Sequence, residues 1–344
     1  MSEAITSADG LVASGLLEPE RRAEAARVAE RYAVAITPYL AEKLPHSAAL
    51  RRQFVPGGEE LATEPHELND PIGDGAHSPV KGIVHRYPDR VLLKAVSVCP
   101  VYCRFCFRRE MVGPGSEGLL AGADLDAALA YVAAHDEIWE VILTGGDPLV
   151  LSARRLSVLM ARLGRIPHVK VVRVHSRVPV VDPARIDADL VASLGGNGKA
   201  VYVAVHANHP DEFTPEARAA IARLQAGGVN LVSQSVLLRG VNDDVEVLTA
   251  LMRGFVELGV MPYYLHHPDL APGTRHFRLP IAEGQKLVAA LRGRLSGLCQ
   301  PTYVLDIPGG YGKADIGTAE IAAEGEGAYV VTDYRGGRHE YRDG

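Results

Sequence analysis

The chain has 344 residues, 47% apolar and 23% charged, which is ordinary for a globular protein and enough for one large core or two smaller ones. With 36 Lys and Arg against 42 Asp and Glu, the net charge of −6 excludes a general nucleic-acid binder but leaves small anionic ligands open. No apolar run is long enough to span a membrane, the start has no basic region followed by an apolar stretch, and four cysteines make no disulfide framework, so a reducing cytoplasm away from membranes is expected.

Residues 1–66 read as an N-terminal helical region. The stretch "LLEPERRAEAARVAERYAV" is rich in Ala, Glu and Arg with Pro19 near its start, and "PHSAALRRQF" follows as a shorter helix. The Pro, Gly and Asp of "NDPIGDGAHSPVKG" read as a loop. From there to residue 300, β-branched runs at 91–98, 139–145, 169–176, 200–207, 230–238 and 260–267 alternate with helical patterns such as "DLDAALAYVAAH" and "DDVEVLTALMRGFVELG". That alternation implies right-handed βαβ units and a parallel sheet. Six strands are too few for an eight-fold barrel and enough for an open one; a doubly wound sheet is the alternative that periodicity leaves standing. In residues 301–344, "PTYVLDIPGGYGKAD" joins a strand-like run to a Gly-rich loop, and the tail reads as a hairpin turning at Gly336–Gly337.

Three of the strands close on polar residues: Thr144, Gly145, Gly146 and Asp147; His175, Ser176 and Arg177; His206, Ala207 and Asn208. Active sites of α/β barrels sit at the C-terminal strand edge, so these groups are expected on one rim. The segment "CPVYCRFCFRRE" adds Cys99, Cys103 and Cys106 just past the first strand, three of the four cysteines within eight positions. A closed zinc site needs a fourth ligand, a redox pair leaves Cys99 unexplained, and Cys299 reads as a core residue. Chance clustering aside, the remaining reading is a [4Fe–4S] cluster on three thiolates with one iron open.

This spacing, with Phe105 before the last cysteine, is similar to the motif of radical S-adenosylmethionine (SAM) enzymes. The resemblance implies a partial six-strand (β/α) barrel and SAM chelating the open iron, to be cleaved reductively to a 5′-deoxyadenosyl radical. "LTGGD", with Gly145, Gly146 and Asp147, resembles that family's Gly-Gly-acid motif at the cofactor's amino group; alone it would be an ordinary turn.

"DIPGGYGKAD" places Lys313 in a loop with Gly309, Gly310 and Gly312. A phosphate-binding loop is not met, since residue 307 is Ile and residue 314 is Ala. The bland reading is an exposed lysine; the sharper one is a Schiff-base lysine for pyridoxal phosphate (PLP), swinging on a glycine hinge. From "AERYAVAITPYL" through "HSPVKGIVHRYPDRVLL", "HSRVPVV", "NLVSQSVLLRGVNDD" and "PGTRHFRLP" to "PTYVLDIPGGYGK", the chain resembles the lysine 2,3-aminomutase family over about nine-tenths of its length.

The resemblance implies that Lys313 carries PLP, that Arg90 and Arg86 hold its phosphate, and that Arg108 clamps the substrate α-carboxylate, with Arg109 unassigned. Asp269 and Asp306 would grip a side-chain ammonium, and Ser176, His206 and Gln234 would belong to the cofactor pocket. His266 stands where clostridial-type members have a tyrosine. An aspartate pair suits a cationic end group and repels glutamate. The implied reaction therefore exchanges the 2-amino group of L-lysine with a hydrogen on carbon 3, giving L-β-lysine, with an electron donor such as a flavodoxin or ferredoxin. Alternatives are the shorter members whose β-lysine modifies elongation factor P, an aminomutase for another amino acid, or a non-catalytic iron–sulfur protein. Long members carry a C-terminal cysteine cluster completed by another subunit. The chain lacks it, and Asp244 occupies the donor position. No structural zinc is expected, and monomer, dimer and tetramer stay open.

Overall fold

The computed structural model describes residues 3–113, 115–116, 118–195, 198–317, 321–325, 328–333 and 335–342. The helical N-terminal region is cut into short pieces, chiefly Ala8–Ala13, Arg22–Arg31, Pro38–Lys43 and Ala48–Phe54. Local chemistry sets the breaks. Thr37 and Ser47 cap the last two through their hydroxyls, each accepting at 3.2 Å from the amide three residues on, and Pro38 occupies the first helical position.

One sheet holds nine strands in chain order: β1 (Ile83–Tyr87), β2 (Arg90–Val96), β3 (Glu140–Gly145), β4 (Val171–Ser176), β5 (Ala200–His206), β6 (Asn230–Val236), β7 (Met261–His266), β8 (Thr302–Ile307) and β9 (Gly312–Asp315). β2 to β8 run parallel, and β1 and β9 are antiparallel at the two ends. The six expected strands are present, and "TYVLDI" adds a seventh parallel one. A doubly wound sheet would reverse its strand order at a switch point; an order that never reverses wraps into a partial barrel. The ends of the wrap meet where the backbone amide of Lys313 donates to the Tyr87 hydroxyl at 2.8 Å.

Alternation along the strands separates core from cavity. In β2, Val91, Leu93 and Ala95 join the apolar core, while Arg90 and Leu92 reach the interior cavity. Helices Gly122–Ala134, Ala153–Gly164, Ala188–Leu194, Pro215–Ala226, Val245–Glu257 and Ile281–Ala289 supply the outer layer. Their buried faces carry residues such as Leu156, Leu159 and Leu163, and Cys299 is buried in the same core. Asp244 caps the fifth of these helices, accepting from the amides of Glu246 and Val247 at 2.8 and 3.1 Å.

The expected tail hairpin is β11 (Ala328–Thr332) and β12 (Arg338–Arg342), joined by β10 (Ile321–Gly325) in a separate antiparallel sheet. Gly336 turns it at φ +82°, where a side chain would be strained. The nine-stranded sheet runs past residue 300, so the first part of the segment 301–344, through β8 and β9, is proposed as a functional part completing the barrel wall, while its tail forms the separate sheet. No helix among the described residues is long and apolar enough to cross a membrane.

Candidate active site

Every site residue read from the sequence lines one cavity, most of them at the C-terminal ends of the parallel strands, with Arg90 at the N-terminal end of β2. Cys99, Cys103, Phe105, Cys106 and Arg108 come from the loop after β2; Gly145, Gly146 and Asp147 from the end of β3. Ser176, His206 and Gln234 come from β4, β5 and β6, while Asp269 follows β7 and Asp306 lies on β8. Arg86 and Arg90 enter from β1 and β2. One expectation is corrected: Lys313 sits on a strand, β9, directly across from Asp306, and not in the glycine loop that precedes it. That loop instead packs tightly, with Gly310 so near Gly73 and His77 that a Cβ there would collide.

The cysteine loop is held from behind. Arg104, 1% exposed, gives two guanidinium nitrogens to Glu60 at 2.5–3.0 Å and a third to the Ala33 carbonyl at 2.8 Å. Arg109 also pairs with Glu60 and lies 3.5 Å over the Tyr32 ring, which ties it to the scaffold, outside the residues that line the cavity. Burial alone would raise Glu60, but Arg104 and Arg109 hold it below the usual carboxylate range. The Gly-Gly-Asp turn zips onto the segment leading into the loop: Gly146 N donates to Val96 O at 2.5 Å and Asp147 N to Val98 O at 3.0 Å. A Cβ on either glycine would strike those carbonyls. The Asp147 carboxylate accepts from the amides of Leu149, Arg177 and Val178 at 2.7–3.2 Å, fastening the β3 turn to the β4 turn.

Burial raises all three thiols, Cys106 to about 11, so metal must displace their protons on binding. No three His, Cys, Asp or Glu side chains among the described residues close around one ion. A cubane cluster places each thiolate on a different iron, so a spread trio fits a cluster better than a single metal.

At the other wall, Lys313 Nζ donates to Asp306 Oδ1 at 2.5 Å and His266 Nδ1 to Asp306 Oδ2 at 3.1 Å. Burial opposes ionisation of Asp306, yet His266 and Lys313 hold it well below the usual range. Asp269 has no such partner among the described residues; burial and the Asp306 charge push it up to about 7. Arg108 uses Nε and Nη2 on Asp74 Oδ2 at 3.1 and 3.0 Å and Nη1 on Thr144 at 3.3 Å. Of its five N–H groups, one on each terminal nitrogen stays free for a carboxylate. Arg86 shares Asp74 at 3.3 Å, and Arg90 stacks 3.7 Å over Tyr87. His175, His206 and His266 each keep a buried Nε2 with no hydrogen-bond partner among the described residues, polar atoms suited to a ligand that fills the cavity. Burial keeps all three neutral. An amine, two arginines and free imidazole nitrogens fit PLP and SAM as well as the thiols fit the cluster.

A thiol trio on the rim of a partial barrel defines a radical SAM enzyme, and residues 94–251 match the Radical SAM superfamily. The chain is 38% identical to the L-lysine 2,3-aminomutase of Acetoanaerobium sticklandii, over 93% of this chain and 78% of that one. It is 39% identical to the L-lysine 2,3-aminomutase of Escherichia coli, over 76% and 75%, and 31% identical to the glutamate 2,3-aminomutase of Clostridioides difficile, over 98% and 80%. The chain belongs to the lysine 2,3-aminomutase family of radical SAM enzymes, whose cofactors are a [4Fe–4S] cluster, SAM and PLP.

Sequence reasoning missed Asp74, Glu60, Gln53 and Glu212. Asp74 lay in a stretch read as plain loop; its signal would have been an acid facing Arg86 and Arg108, a pairing visible only in three dimensions.

Proposed function

We propose that the protein converts L-lysine to L-β-lysine by moving the 2-amino group to carbon 3. The observation that carries this reading is the unpartnered Asp269 carboxylate beside Asp306, in the cavity that also holds Arg108 and Lys313. Such a site takes an amino acid with a carboxylate at one end and a cation at the other.

When bound, the reduced cluster with SAM supplies a carbon radical for hydrogen abstraction at carbon 3, and PLP supplies the π system that carries the nitrogen. The chain supplies placement. The two free N–H groups of Arg108 hold the α-carboxylate, and Asp269 and Asp306 hold the distal ammonium, stretching the substrate between them. Lys313 would provide the amine that retains PLP, and when free of the cofactor its ammonium would rest against Asp306 Oδ1, as it does here. Arg90 and Arg86 hold the PLP phosphate, while Ser176, His206, Gln234 and the Gly145–Asp147 turn form the SAM side. Val84, Leu92, Ile142 and Val236 make the rest of the wall apolar and exclude water. The single electron comes from a flavodoxin or ferredoxin, in the reducing cytoplasm where such thiols survive.

The test is product analysis after anaerobic incubation of reconstituted protein with L-lysine, SAM, PLP and a strong reductant, alongside L-glutamate. β-Lysine from lysine and no β-glutamate from glutamate is the expected result. No β-lysine, from protein shown to hold its cluster and PLP, would sink the assignment.

A further inference from the structure

Arg177 follows β4 and is 5% exposed, although it carries a full positive charge. Its Nη1 donates to Cys103 Sγ at 3.2 Å, and its Nη2 donates to Gln53 Oε1 at 2.6 Å and Glu212 Oε2 at 2.7 Å. Phe54 and Phe105 flank the guanidinium, their ring centres 4.7 and 5.2 Å from Cζ. The countercharge is equally fixed: Glu212, 3% exposed, accepts from the amides of Asn208 and His209 at 2.7 and 3.0 Å through its other oxygen. A rigid cation thus touches one cluster sulfur, and a rigid anion stands behind it on the far side.

We propose that the Arg177–Glu212 pair sets the reduction potential of the cluster, Arg177 raising it and Glu212 limiting the rise. The step is a one-electron reduction of the cluster core from 2+ to 1+ by a low-potential iron–sulfur or flavin protein. No bond or proton changes hands, and the cluster with its thiolates gains one negative charge. An N–H···S hydrogen bond and a nearby cation favour the more negative state; a nearby carboxylate disfavours it. Low local dielectric, with both groups held by hydrogen bonds, makes both effects large. The proposal rests on the radical SAM class and not on the identity of the amino-acid substrate, so loss of β-lysine formation has no bearing on it.

The experiment is a redox titration of fully reconstituted enzyme, anaerobic, with the 1+ cluster followed by electron paramagnetic resonance and iron counted per chain. Arg177→Met should shift the reduced-to-oxidised ratio at fixed potential about tenfold toward oxidised, about 59 mV for one electron. Arg177→Lys, which keeps the charge, should recover most of that shift. Glu212→Gln keeps an acceptor oxygen for the Asn208 and His209 amides and should shift the ratio the opposite way. A purely structural network would lower iron content without moving the two variants in opposite directions. Shifts of the same sign, or none in variants with full iron content, overturn the proposal. Should Arg177→Met lose the cluster, Glu212→Gln alone decides: an upward shift supports the pair, and no shift or a downward one overturns it.

Discussion

Asp269 offers the most direct test of how the substrate is held. Burial and the neighbouring Asp306 push its carboxyl up to about 7 against the opposing charges of Lys313, Arg108 and Arg278, and no hydrogen-bond partner holds it among the described residues. A distal ammonium binds the ionised form, so the affinity for lysine should rise with pH. With a value near 7, about one site in eleven is ionised at pH 6 and about ten in eleven at pH 8, so the apparent dissociation constant should fall about tenfold across that interval. The ammonium of Lys313 holds Asp269 lower than burial and Asp306 alone would. The assay is the change in PLP absorbance when lysine is added to cofactor-loaded enzyme without reductant, from pH 6 to 8.5. Norleucine, the same chain without the ammonium, controls for deprotonation of the α-amine. It should lack this added rise and bind relatively worse as Asp269 ionises. Asp269→Asn should flatten the lysine profile to that of norleucine and weaken lysine binding at pH 8 by roughly 10- to 100-fold. If lysine and norleucine share one pH profile in the unaltered enzyme, the ammonium does not sit on Asp269.

Other perturbations address the rest of the site. Arg108→Lys keeps a charge but loses the forked N–H pair; kcat/KM for lysine should fall roughly 10- to 100-fold, and an unchanged value would remove Arg108 from substrate binding. Glu60→Gln strands two buried guanidiniums and should cost about 3–5 kcal/mol in urea unfolding of the cofactor-free protein; a loss under about 1 kcal/mol would mean that the cysteine loop is anchored elsewhere. Because Glu60 is depressed in the fold, its stabilisation is full above the ordinary glutamate range and is lost as pH falls through the folded value. Gly146→Ala drives a Cβ into the Val98 carbonyl and should lower the iron bound per chain after reconstitution, a defect visible in iron assays without any turnover.

What could be read from the sequence followed the range of the interactions involved. The parallel strands declared themselves because β-branched runs and helical stretches are local patterns, and the cysteine trio because its ligands lie within one loop. β1 escaped notice: "IVHRY" is short, and only its pairing with β2, with Tyr87 opposite Arg90, makes it a strand. Lys313 was misplaced for a related reason. Its glycines suggest a loop, yet antiparallel pairing with β8 draws residues 312–315 into the sheet. The polar framework was invisible because its partners lie far apart. Gln53 meets Glu212 and Arg177, and Glu60 meets Arg104 and Arg109, across tens to more than a hundred residues. Asp74 shows the same limit, an unremarkable loop acid until the fold sets it between Arg86 and Arg108.

Substrate choice in this family cannot be read from overall identity, since a relative named for glutamate aligns with 98% of the chain at 31% identity. Local charge discriminates better. A glutamate side chain reaching toward the aspartate pair would face a like charge at about 5 Å, which costs about 3 kcal/mol at an effective dielectric near 20. Even half of that disfavours glutamate by about tenfold. The two aspartates are not equivalent in this respect. Asp306 also orders Lys313 and His266, so altering it disturbs the residue proposed to retain PLP together with the proposed substrate pocket. Asp269 has no hydrogen-bond partner among the described residues, so a change there alters selectivity while leaving the Lys313 side of the site intact. A shift of substrate within this fold therefore has its simplest first step at Asp269, with Asp306 following only once another group holds Lys313 in place.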